Sequence, residues 1–113
     1  MTNIESNAVN KLKASVPNLK TMLKQFSDDI SADPIQALRW ADSQVAKAAE
    51  LKATERMIYV IEVHGLAKAI EVGTEQLLTE TAFATLSTSQ NSNLIDHYSR
   101  SALAQLIIEL KRL

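Results

Sequence analysis

Between Pro34 and Gly65 the chain runs without a single glycine or proline. So long a stretch without breakers fits a long helix far better than a set of strands, whose turns would need those residues. The whole chain holds two glycines, two prolines and five aromatic residues in 113 positions, which also counts against β structure. Fifteen alanines and fourteen leucines favour helix. The expected architecture is all-α: a four- or five-helix bundle, mostly antiparallel, with one long central helix. Residues 1–113 are expected to form a single helical domain, because domains of ~100–150 residues are the commonest size.

Local signals place the helices. Pro17 suits a first helical position, where its missing N–H costs nothing. Leu19, Met22, Leu23, Phe26 and Ile30 then follow the i, i+3, i+4, i+7 rule, so a helix is expected over 17–30. A shorter helix is expected before it, with Ile4, Ala8 and Leu12 one above another. Asp33-Pro34 is a start signal for the long helix. Met57–Val63 is the one run with strand-like composition, but no second run exists to pair with it, and buried helix is the expectation. After Gly73, either Thr74 opens a new helix through Leu86 or the helix continues through both glycines. Ser87–Ser92 reads as a loop, and Ser92 or Asn93 as the cap of a last helix carrying Ile95, Ala102, Leu103, Leu106, Leu110 and Leu113.

Several chemistries find no support. The chain has no cysteine, so disulfides, thiolate metal sites and cysteine nucleophiles are excluded. His64 and His97 are the only histidines, and neither has a glutamate three residues before it, as bundle di-iron sites require. His64, Glu71 and Glu75 lie near one helix face with Lys68 between them, which reads as a solvated stripe. Arg56 and His64 are more than two turns apart, too far for joint action on one phosphate. Asp96-His97-Tyr98-Ser99-Arg100 is a dense polar cluster, but adjacent helical residues point about 100° apart and do not converge. No nucleophile elbow or phosphate-binding glycine loop is present. Neither an enzyme, a cofactor nor a metal is expected. The longest dense apolar stretch, Met57–Val63, is far shorter than the ~20 residues that span a bilayer. A cytoplasmic protein without a membrane partner is the expectation.

Residues 66–80 contain one family-like pattern. Ala67, Val72 and Leu77 stand at the intervals of a small residue, a turn residue and a second-helix residue, and the segment resembles the core of a helix-turn-helix. The resemblance implies a DNA-binding regulator. The turn position holds Glu71 rather than glycine, and the would-be reading helix, 74–86, carries Glu75 and Glu80 with no lysine or arginine. Residues 57–97 sum to -4, so nucleic acid is not the expected partner. A further alternative is a small apolar ligand within the bundle, lined by Met57, Tyr59, Phe83 and Tyr98.

The long segment itself points to protein binding. At 100° per residue Leu38, Ala41, Val45, Ala48, Ala49 and Lys52 share one face, with Trp40, Leu51 and Ile58 nearly opposite. A helix apolar on two sides sits between neighbours. With the Leu38 face taken as core, Trp40, Leu51 and Ile58 form an interface, with Arg39 and Lys47 at its rim. The expected function is that of a non-enzymatic interaction, regulatory or accessory protein, as a homodimer or with an unknown protein partner.

Overall fold

The computed structural model describes residues 2–86 and 94–113. Those residues form an all-α bundle of four helices: α1 (Asn3–Ala32), α2 (Gln36–His64), α3 (Leu66–Leu86) and α4 (Leu94–Lys111). Among them no strand occurs, and Met57–Val63 is helical. The long helix expected after Asp33-Pro34 is present as α2. Asp33 ends α1 with extended backbone, and its Oδ1 accepts the Ile35 N–H at 3.2 Å, turning the chain back on itself. No helix is long and apolar enough to cross a membrane among the described residues.

Two expected boundaries are corrected. Residues 3–32 are one helix, and Pro17 lies inside it rather than at a start. A proline there removes one N–H from the helical ladder, yet helix continues on both sides, held by the apolar stripe that Ala8, Val9, Leu12 and Leu19 bury. The two glycines also behave differently. Gly65 stops α2 at φ 90° and ψ 164°, a region that essentially only glycine occupies. Gly73 stays helical and leaves room for a neighbour. A Cβ added there would lie 3.3 Å from Ile107 Cδ1 of α4 and 3.5 Å from Met57 Cε of α2. The expected loop at 87–92 and the Ser92 or Asn93 cap lie outside the described residues.

Packing divides the molecule into two regions. The buried cluster comprises Ala8, Val9 and Leu12 of α1, Met57 and Ile61 of α2, Ala69 of α3, and Leu103, Leu106, Ile107 and Leu110 of α4. All four helices contribute, and this is the body. Buried Thr54 joins it without penalty, because its hydroxyl donates to the Glu50 carbonyl at 2.7 Å. Residues 20–53, the last part of α1 and the first part of α2, contain no buried residue. They form a two-helix arm. A 29-residue helix such as α2 is about 43 Å long, which matches the longest dimension of the molecule, 47 Å. The thinnest dimension, 20 Å, is about two helix diameters.

A polar clasp ties the first turn of α1 to the start of α3. Thr2 and Glu5 form a reciprocal capping box. The second carboxylate oxygen of Glu5 accepts the Leu66 N–H at 2.8 Å. That N–H belongs to the unpaired first turn of α3 and carries partial positive charge. The Leu66 amide, with the Thr2 donors behind it, holds the Glu5 carboxyl below its ordinary pKa.

Candidate interaction surface

The face of α2 that meets α1 is the one carrying Trp40. Its indole is half-buried, with its ring centroid 5.5 Å from that of Phe26. Leu51 is half-buried on the same side. Ile58 is packed against the buried cluster and borders a shallow groove of about 280 Å³ with Lys13, Val16, Pro17 and Glu55. Lys47 reaches Glu50 on its own helix at 3.2 Å. Arg39 is exposed beside this face. The five residues expected to form an intermolecular patch therefore do not share one open surface. The three apolar ones lie along the seam between α2 and the rest of its own chain.

The opposite face is the open one. Leu38 is 87% exposed, the highest value of any large apolar side chain described, and Ile35 is 73% exposed. At the far end of α2, Tyr59 and Val63 are 65% and 54% exposed. Between them Ala41 and Ala48 are exposed, and Val45 and Ala49 are half-buried. Positions 38, 41, 45, 48, 52, 55 and 59 step by alternating threes and fours, the spacing that keeps a seam on one side of a helix. Only Lys52 and Glu55 in that series are charged.

Why the faces are placed this way follows from size. The α1 stripe of Leu19, Leu23, Phe26 and Ile30 needs a bulky surface to pack on. Trp40, Leu51 and Ile58 offer far more apolar area than alanines. Sequence reasoning found both faces but gave the alanine-rich one to the core. The 3–4 spacing of that face was the overlooked signal, since small residues on a long regular seam suit close helix–helix approach.

The other candidates separate in space. Met57 is buried whereas Tyr59 is exposed, and two residues along a helix point about 160° apart, so they line no common cavity. Tyr98 is half-buried with its ring 5.5 Å from that of His97, and the side chain of Phe83 lies outside the described residues. The side chain of Asp96 also lies outside them. His64, Glu71 and Glu75 are all exposed, Lys68 pairs with Glu71 at 3.7 Å, and no metal-binding cluster occurs among the described residues. Residues 66–80 do not fold as two helices about a turn: α3 runs unbroken through Glu71 and Gly73. Of the residues that carry the resemblance, Ala67 is exposed and Val72 and Leu77 are half-buried, whereas Ala69 and Gly73 are the buried positions among the described residues of this helix.

Comparison of the chain with protein-family models, with curated proteins and with solved structures gave no match.

Proposed function

We propose that the protein is a non-enzymatic, cytoplasmic interaction or accessory protein that acts through the outer face of α2. The observation that carries this reading is the seam from Leu38 to Val63, apolar over most of its length and exposed at Leu38, Ala41, Ala48, Tyr59 and Val63. Exposed leucines scattered singly are ordinary, but Leu38, Tyr59 and Val63 on one face of one helix, with Ile35 just before it, mark a contact surface. The unbroken α3 removes the turn on which a DNA-reading segment would depend, and its first five turns hold one lysine against three glutamates.

A photo-reactive residue placed at Ala41 tests the reading in living cells. A discrete protein adduct that disappears when Leu38→Asp is added supports it, with the same residue at Lys11 as control. No adduct at position 41, or equal labelling at position 11, rejects it.

A further inference from the structure

We infer that the partner of the α2 outer face is a second copy of this chain, packed antiparallel about a two-fold axis between Ala48 and Ala49. The inference rests on the interaction reading above and assigns its partner.

The seam is self-complementary in size. Large exposed residues stand at its ends, Ile35 and Leu38 at one and Tyr59 and Val63 at the other, with Ala41, Val45, Ala48 and Ala49 and the charged Lys52 and Glu55 between. Leu38 and Tyr59 lie about 32 Å apart along the axis, with the alanine pair midway. Turning a second α2 end for end about that midpoint sets Leu38 of one copy on Tyr59 of the other. Alanine then meets alanine at the centre, where two helix axes can approach to about 8 Å.

Charge agrees with the same register. Asp42 and Arg56 flank the seam on one side, and neither forms an ion pair among the described residues. In an antiparallel two-fold pair each flank faces its own equivalent, so Asp42 of one copy lies beside Arg56 of the other, twice over. The body does not obstruct this arrangement, because buried Thr54, Met57 and Ile61 point away from the seam.

The area decides how tight the pair is. A strip about 38 Å long and about 15 Å wide covers roughly 550 Å² per copy, or roughly 1,100 Å² in all, at the lower end of specific interfaces. A dissociation constant on the order of micromolar is expected.

Sedimentation equilibrium across the micromolar range should show the mass rising from 12.5 kDa toward twice that value. Asp42→Arg and Arg56→Asp should each weaken association at least about tenfold, and the double exchange should restore it. The absence of native cysteine permits a second test that does not depend on charge. Ala49→Cys should oxidise to a covalent dimer, and Lys11→Cys should not. Lys11 is exposed and Ala49 half-buried, and circular dichroism checks that each variant is folded. A protein that stays monomeric throughout overturns the second copy as partner; if Ala41 still captures another protein in cells, the interaction reading survives that loss. A dimer indifferent to both exchanges and to oxidation at position 49 overturns the proposed register.

Discussion

The body and the arm are built from the same two long helices, yet they differ in kind. In the body α1 and α2 meet α3 and α4, and Ala8, Val9, Ile61 and Ala69 are almost completely hidden. In the arm α1 and α2 meet chiefly each other, Ala53 alone being packed against the buried cluster, and nothing between residues 20 and 53 is buried. The arm is not poor in apolar residues: Leu23, Phe26, Ile30, Leu38, Trp40, Val45 and Leu51 all belong to it. What it lacks is neighbours. Two helices can bury one stripe each, and a second apolar stripe on either stays uncovered. Apolar content sets how much surface a helix could hide, whereas the number of elements around it sets how much it does hide. Opening free energies should fall accordingly along α2, from the Ile61 end toward the Gln36 end.

Substitutions in the two regions put this contrast to the test. Ile61→Ala should have the largest effect, a loss of about 2–5 kcal/mol in urea unfolding. Trp40→Ala removes a larger side chain but from the half-open arm, and should cost only about 1–2 kcal/mol at protein concentrations well below the association range. Equal losses at the two sites would erase the distinction between the regions.

Pro17→Ala, close to where the body gives way to the arm, should raise stability by up to about 3 kcal/mol, since it returns an N–H to the interior of α1. A lower melting temperature would mean that the proline ring makes a packing contribution beside Val16 and Ile58 that outweighs the missing bond.

Gly65→Ala should lose about 1–3 kcal/mol, from backbone strain and from a Cβ placed 2.9 Å from the Glu5 carboxylate. An Ala substitution without loss would show that the α2–α3 junction tolerates another backbone conformation.

Glu5→Gln should have the smallest effect, and one that depends on pH. Folding depresses the Glu5 pKa, so its stabilising contribution is present above about 4.5 and fades as pH falls through the folded value. The wild-type advantage over the variant should therefore be largest near neutrality and vanish in acid. A difference that persists unchanged at low pH would remove the charged clasp from the account.

Much of the fold was legible in the residues. The unbroken run to Gly65 and the helical state of Met57–Val63 follow from breaker content and the absence of a pairing strand, whereas Asp33-Pro34, read as a cap and first turn, forms the turn itself: Asp33 is the C-cap of α1, and α2 starts at Gln36 after Ile35 with no side-chain cap. Pro17 misled because its local preference for a helix start was overridden by tertiary packing of the stripe on both sides of it. The fate of the two glycines was undecidable locally, since a helical glycine and a terminating one differ only in what surrounds them. Gly73 is held by Ile107 and Met57, residues far from it in sequence. The candidate surface was half legible. Both α2 faces were visible in the periodicity, but which one faces outward depends on Phe26, and pairing Phe26 with Trp40 is a long-range event that no single-helix pattern encodes.

The bond from the Leu66 amide to Glu5 spans 61 positions of chain. On a ribosome, where residues emerge in order, that link cannot form until α1 and α2 have both left the exit tunnel. For that interval the nascent hairpin has its α3- and α4-facing surfaces bare and the first turn of α1 waiting for its donor. The closing of this bond marks the moment at which the newborn polypeptide stops being a hairpin and begins to acquire an interior.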